Sequence, residues 1–305
     1  MSESLKKIEQ LALELGCAVE ENPLLSKLTT FRIGGAAPLL IQVNGQTAQR
    51  IQHALLEEQI PYFWIGKGSN LLVGDQGVSS VLLQFTTQEE PIVKGNCIHC
   101  SAGTPMKTLC RVACEHELTG MEFAYGIPGT VGGGVYMNAG AYGGDVSQVI
   151  ETASILFPDG SVKQVSKDQL GLSYRHSFLM DNGGVVLDAQ FRLTEDREEN
   201  IRERMNDFLS RRKEKQPLEY PSAGSFFKRP EGYFAGALIE QCGLKGYRVG
   251  DAQISEKHAG FLINRGQATC ADVKAVAAEV KRRVLSETGV EMNPEVRLIG
   301  DTWEV

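Results

Sequence analysis

The sequence predicts an α+β protein of more than one domain, on three observations. Strand-like stretches that close into hairpins are interspersed with amphipathic helices, a mixture that argues against a doubly wound parallel sheet. At 305 residues, 42% hydrophobic and 23% charged, the chain suggests two or three domains with a substantial buried core. One nineteen-residue stretch, GIPGTVGGGVYMNAGAYGG at 126–144, holds eight glycines among apolar residues, too apolar for a flexible linker.

The elements follow in order. Leu5, Ile8, Leu11, Ala12 and Leu15 recur at helical spacing, and Gly16 ends that helix. APLLIQV (37–43), TAQRIQHALLEEQ (47–59) and YFWIG (62–66) read as strand, helix and strand, a β-α-β unit whose last strand runs into GKGSNLLV. A second region opens near residue 80 with VLLQF and CIHCSAG. A helix follows, capped by Thr104 with Pro105 in its first turn. After the glycine stretch come a hairpin, ETASILF–PDG–SVKQV, and a strand, VVLDAQFRL (185–193). A charged helix from about 196 to 215, with Ile201, Met205, Phe208 and Leu209 as its apolar stripe, marks a boundary. The third region holds helix YFAGALIEQC (233–242), strand GFLIN (260–264), a long helix from Ala271 to about Glu287, and strand EVRLIG (295–300). The resulting division is 1–79, 80–200 and 201–305.

A net charge of −7 argues against a general nucleic-acid or anionic-membrane surface. No apolar run is long enough to span a bilayer, and MSESLKKIEQ lacks the apolar core of a signal peptide, so a cytoplasmic protein is expected. Seven cysteines without a secretion signal suggest reduced thiols. Cys97 and Cys100 form C-x-x-C on a strand, where positions three apart face opposite sides. Cys110 and Cys114 sit one helical turn apart among Leu109, Val112 and Ala113. Both pairs read as packing, and no metal site is expected.

Four other stretches carry polar chemistry. In GKGSN (66–70), successive amides with the Ser69 hydroxyl and Asn70 carboxamide can wrap a pyrophosphate, or simply make a tight turn. It is neither a Walker loop nor a Rossmann fingerprint, which needs a third glycine where Leu71 stands. SYRHS (173–177) offers Arg175 as a surface residue or as a fixed cation for a carboxylate or oxyanion. PSAGSFFKRP (221–230) sets Ser225 before two phenylalanines, Lys228 and Arg229, either in a turn or as a hydroxyl in an apolar, cationic pocket. It is no G-x-S-x-G elbow. In NPEVRLIG (293–300), Glu295 and Arg297 share one face of a strand, as a solvated pair or as a carboxyl beside an arginine at a site.

GMEFAYGIPGTVGGGVYMNAGAYGG, GKGSNLLV, YRHS, AGSFFKRP and NPEVRLIG together resemble, in order and spacing, the UDP-N-acetylenolpyruvoylglucosamine reductases, also called UDP-N-acetylmuramate dehydrogenases. The resemblance runs from about Thr29 to Gly300. It implies a vanillyl-alcohol-oxidase-type fold in which two N-terminal subdomains hold non-covalent FAD and a C-terminal α+β domain closes over substrate. It also implies NADPH-dependent reduction of an enolpyruvyl UDP-sugar for peptidoglycan synthesis, by a monomer. Position by position, Arg175, Ser225 and Glu295 match the family's catalytic residues. Gly66, Lys67, Gly68, Ser69 and Asn70, with Gly129, Thr130, Gly133, Asn138 and Gly140, match the cofactor surface. Tyr174, Lys228, Arg229, His258 and Arg297 match substrate-binding positions. Residues 229 and 258 are Arg and His where other members carry amides, and YRHSFLMDNGGVVLDAQ lacks the inserted tyrosine segment of longer members, implying the shorter subtype. Another FAD oxidoreductase of this fold, or a non-catalytic nucleotide-binding protein, is the alternative.

Overall fold

The structure is a computed structural model that describes residues 2–87 and 89–303. The chain divides into two compact units. One comprises Met1–Glu20, Leu39–Lys67 and Ser80–Arg212; the other comprises Glu21–Pro38, Gly68–Ser79 and Lys213–Val305.

The first unit holds two larger sheets and two short two-stranded pairings. The smaller of the two larger sheets has the strand order Ala18–Glu21, Leu39–Val43, Val81–Phe85, Tyr62–Ile65. The β-α-β unit expected at 37–66 is present, with helix Ala48–Glu57 as its connection, but its strands are not neighbours. Val81–Phe85 lies between them and parallel to both, with Leu82 opposite Leu40 and Phe63. The sequence reading puts VLLQF at the head of the second region; it completes the first sheet instead. A run as apolar as Val81, Leu82 and Leu83, all fully buried, suits a central parallel strand. Helices Glu3–Glu14 and Ala48–Glu57 cover this sheet through Ile8, Ala12, Ile51 and Leu55.

The second sheet is antiparallel, ordered Val162–Ser166, Ile150–Leu156, Val185–Arg192, Cys97–Ser101, Ile92–Lys94. The expected PDG hairpin closes it: Leu156 faces Val162, and Asp159 Oδ1 accepts from the Ser161 N–H at 2.9 Å. Gln52, only 1% exposed, ties the two sheets, donating to Phe157 O at 2.6 Å and accepting from Trp64 Nε1 at 3.3 Å.

Helix Met106–Glu115 starts one residue later than expected, because Pro105, not Thr104, occupies the cap position. Proline has no N–H to lose there, and its carbonyl accepts from Thr108 and Leu109. The Thr104 hydroxyl is instead buried without a hydrogen-bond partner among the described residues. Cys110 and Cys114 pack into the core beside Leu109 and Ala113, and burial pushes the Cys110 thiol up. Cys100 faces the same core from its strand, its thiol pushed up to about 12 by burial and by the charge of Asp188. All seven cysteines are free thiols.

Helix Glu198–Lys215 docks on this unit through Ile201 and Met205, and one ionic cluster fixes it. The buried Glu122 accepts from Thr119 Oγ1 (2.6 Å), Gly120 N (2.7 Å) and Arg204 Nε (3.0 Å), while Arg204 also binds Asp196. Burial works to raise the Glu122 carboxyl, but these donors outweigh it and hold the group below its ordinary value of 4.5. The linked stability is therefore fully present above pH 4.5 and is lost as pH falls through the lower folded value. Glu122→Gln should cost about 2 kcal/mol at neutral pH, as loss of hydrogen bonds to a charged group does. That difference from the native chain should shrink below pH 4.5 in urea titrations run across pH.

The second unit centres on an antiparallel sheet, Ser222–Ser225, Phe261–Asn264, Ala252–Ile254, Arg248–Val249. Helix Cys270–Thr288 packs Val273, Val276, Ala277, Val280 and Val284 into its core. A capping box between Thr269 and Asp272 starts that helix, and left-handed Gly289 stops it. Asp75 caps it as well, its two oxygens accepting from Cys270 N (2.7 Å) and Ala271 N (3.1 Å). The expected strand 295–300 is shorter: only Arg297–Ile299 is strand, pairing in parallel with Leu71–Val73. Glu295 lies before it. Among the described residues no helix is long and apolar enough to cross a membrane.

Candidate active site

The glycine-rich stretch answers its own question in two ways. Several of its glycines are demanded by packing: a Cβ on Gly132 would stand 2.9 Å from Ala102 Cβ, on Gly134 3.0 Å from Met106 Sδ, and on Gly144 2.6 Å from the Phe123 ring. Others face outward. Thr130 caps the short helix Val131–Tyr136 by accepting from Gly133 N, and Gly133 is exposed, with Thr130 Oγ1 at 3.7 Å from its Cβ position. Gly66 stands opposite the same hydroxyl, 3.0 Å from its own Cβ position, and its carbonyl accepts from Gln84. Gly66 and Gly133 thus leave a surface of open backbone on either side of the largely buried Thr130 hydroxyl, with no other described side chain outside their chain neighbours within 4 Å of their Cβ positions. Such a surface fits a phosphate-bearing nucleotide, which is recognised by N–H and O–H donors approached at close range. Gly129 is half-buried in the turn leading to Thr130, its carbonyl accepting from Met106 N.

Three non-glycine residues near this surface have left-handed backbones: Asn138 (φ 41°), Tyr142 (φ 54°) and Arg175 (φ 53°). They form one cluster. Asn138 is 2% exposed; its carboxamide donates to Ser173 O at 2.8 Å and accepts from Ser147 N at 2.9 Å. Arg175 lies in a tight turn closed by reciprocal backbone bonds between Ser173 and His176. Its guanidinium donates to Gly140 O at 2.8 Å and Asn138 O at 3.5 Å and lies over the exposed Tyr174 ring. Asn138 therefore spends its side chain on fixing the loop of Arg175. From His176 the chain runs to Val185 through one short helix, Leu179–Asn182.

The second unit gathers the other expected residues. Left-handed Gly68 (φ +59°) admits no side chain, since a Cβ would fall 2.4 Å from Leu28 O. Ser69 follows it, half-buried; Lys67, at the end of the first unit's segment, is exposed. Asn70 Nδ2 donates to Glu295 O at 3.2 Å, Arg297 N to Asn70 O at 3.0 Å, and Glu295 N to Phe226 O at 2.8 Å. Ser225 is exposed at the end of its strand, next to buried Phe226 and Phe227. Lys228 is exposed, its N–H bonded to Asn293 O. Three separate motifs thus come together in this unit: Asn70 is bonded to Glu295, and Glu295 to Phe226, which stands between Ser225 and Lys228 in the chain.

Two expected substrate residues have local partners of their own. Arg229 stacks on Phe234, 3.8 Å from the ring centroid, and donates to Tyr233 O. His258 Nδ1 accepts from Gly260 N at 3.1 Å, which puts the proton of the neutral ring on Nε2, and burial pushes its pKa down.

Comparison with known proteins accounts for this combination. A model described as FAD binding domain matches residues 43–166, and one described as the C-terminal domain of UDP-N-acetylenolpyruvoylglucosamine reductase matches 216–299. The UDP-N-acetylenolpyruvoylglucosamine reductase of Clostridium novyi is 46% identical over 287 residues, 94% of each chain. The chain belongs to the UDP-N-acetylenolpyruvoylglucosamine reductase family. The reductase of Agathobacter rectalis is 43% identical over 97% of this chain and 98% of its own. The crystal structure of the Thermus caldophilus reductase superposes with a TM-score of 0.78 at 37% identity, covering 92% of this chain and 99% of that one. An FAD-binding fold joined to the reductase C-terminal domain is therefore the architecture here. The surface at Gly66, Thr130 and Gly133 belongs to the FAD-binding part.

Proposed function

We propose that this chain reduces the enolpyruvyl ether of UDP-N-acetylglucosamine to UDP-N-acetylmuramate, using NADPH, as a cytoplasmic monomer supplying peptidoglycan precursors. Family membership supports the reaction, and one arrangement supports the residue roles: Glu295 is bonded through its backbone to Asn70 and to Phe226, the residue after Ser225. FAD, when bound, supplies hydride chemistry toward the substrate's β-carbon. Gly66 to Asn70, with Gly129, Thr130, Gly133, Asn138 and Gly140, are the residues proposed to hold it. A three-part division, with its first boundary falling after Val81–Phe85 and not at 79, and the short-subtype assignment belong to the same reading.

The chain's own residues handle charge and proton. Hydride addition at the β-carbon places negative charge on the substrate carboxylate, and Arg175, its fork oriented by the carbonyls of Gly140 and Asn138, stabilises that charge. Glu295, held protonated beside that charge, donates a hydrogen bond to the carboxylate. Ser225 gives its hydroxyl proton to the α-carbon; a hydroxyl is a weak acid, and the cation of Lys228, three residues on, favours the alkoxide left behind. Tyr174, Lys228, Arg229, His258 and Arg297 are proposed to bind the UDP-sugar.

An absorption spectrum of the purified protein, recorded anaerobically before NADPH, after it, and after the enolpyruvyl UDP-sugar, tests the reading. The expected result is a flavin spectrum that bleaches with NADPH and returns with the sugar. A flavin that bleaches and stays reduced overturns the substrate. Absence of flavin after reconstitution with FAD overturns the cofactor.

A further inference from the structure

We propose that Phe208 is a positioning residue for Arg175, acting through the ring of Tyr142. The inference rests on the role given above to Arg175. The acceptor that fixes the Arg175 fork, Gly140 O, lies on the first strand of a very short hairpin, Gly140–Ala141 paired with Gly144–Asp145. Two residues of pairing per strand do not hold such a hairpin rigid by themselves.

Both strands are anchored at their bases, and the tip has a contact of its own. The second is fixed to the body of the unit: Gly144 lies against Phe123, the Asp145 carboxylate accepts from Ser147 Oγ at 2.5 Å, and Gly143 O accepts from Gln148 at 3.1 Å. The first strand, which carries the Arg175 acceptor, is held at its base by Ala139, whose N–H donates to Gly134 O at 2.8 Å and whose carbonyl accepts from Val146 N at 3.0 Å; its far end leads into the tip. There Tyr142 stacks on Phe208 of helix Glu198–Lys215, with ring centroids 4.7 Å apart and planes 1° from parallel.

The Tyr142 backbone is left-handed, a conformation that costs a bulky residue about 1–2 kcal/mol and persists only when its surroundings impose it. Offset-stacked rings contribute about 0.5–1.5 kcal/mol beyond area burial, enough to offset most of that cost. Tyr142 is 41% exposed and Phe208 half-buried, so neither ring is needed to fill the core, which the helix reaches through Ile201 and Met205. Without Phe208 the tip relaxes, Gly140 O shifts, and the Arg175 fork loses its fixed plane.

A double-mutant cycle tests this, read as the anaerobic rate at which the enolpyruvyl UDP-sugar reoxidises NADPH-reduced enzyme. Phe208→Ala should slow that step about tenfold, as a sub-ångström misplacement of a charged group does, and leave reduction by NADPH within about twofold. In an Arg175→Lys background, where the fork is already gone, the same substitution should cost less than about twofold. Phe208→Tyr should restore the rate, and Phe208→Leu, which keeps bulk but not the ring, should not. Amide exchange across residues 139–147 should accelerate in Phe208→Ala, a readout independent of turnover. Equal losses in both backgrounds, rescue by leucine, or unchanged exchange would overturn the proposal. Native turnover by Arg175→Lys would instead overturn the role given to Arg175.

Discussion

Ser225→Ala is expected to slow the substrate step by about 10³-fold while leaving reduction by NADPH nearly intact, the scale at which a positioned proton donor acts. The substitution is structurally mild. Ser225 is exposed, it ends the strand Ser222–Ser225, and the residues that anchor that strand are buried Ala223 and Phe226. The bond that fixes Glu295 comes from the Phe226 carbonyl, which the mutation does not touch. Thermal unfolding should therefore match the native protein, so that a loss in rate can be assigned to the missing hydroxyl. The check is rapid-mixing spectroscopy of the two half-reactions, run separately. Equal loss in both would mean that Ser225 shapes the site and does not donate the proton.

The stretches that carry Ser225 and its neighbours stand out in the sequence because each is a short contiguous motif with unusual chemistry. AGSFFKRP sets a hydroxyl beside two buried rings and two cations, and NPEVRLIG sets a carboxyl two positions before an arginine. The long helix could also be read, although the Thr269–Asp272 box that starts it comes from the structure. What joins the motifs could not be read. Leu71–Val73 pairs with Arg297–Ile299 across more than two hundred residues of chain, and no local signal fixes that register. Val81–Phe85 was misassigned for a related reason, since an apolar run states that it is buried but not in which sheet.

The glycine stretch was legible only in part. Its density signals close approach, yet Gly132 and Gly134 serve packing while Gly133 is exposed, and no sequence rule separates them. The helix Val131–Tyr136 inside it runs against propensity, because three consecutive glycines disfavour helix; Thr130 as cap and burial of Val131 and Val135 supply what the glycines withhold. Phe208 read as part of an apolar stripe, and its contact with Tyr142 emerges only in three dimensions.

Gly140→Ala should be the most informative change in that stretch. An added methyl would stand 2.7 Å from both Asp145 Cβ and Gly144 O, inside the two-residue pairing of the hairpin. Those neighbours are held, one by Ser147 and the other by the Phe123 ring under Gly144, so the strand carrying residue 140 must yield. That displacement moves the carbonyl that fixes the Arg175 fork at 2.8 Å. Overpacking of this kind costs about 1–3 kcal/mol of stability, an effect a chain of this size tolerates. A misplaced guanidinium costs far more in rate, about 10²-fold in the substrate step. Gly140 also belongs to the surface proposed for the cofactor, and the two roles give different results. If its part is to anchor Arg175, the variant is purified with its full complement of flavin, is reduced normally by NADPH, and fails only when the sugar is added. If its part is contact with the nucleotide, flavin content falls first and both half-reactions fall with it. The hydrogen bond to Arg175 favours the first outcome, and flavin content measured beside the two rates decides between them.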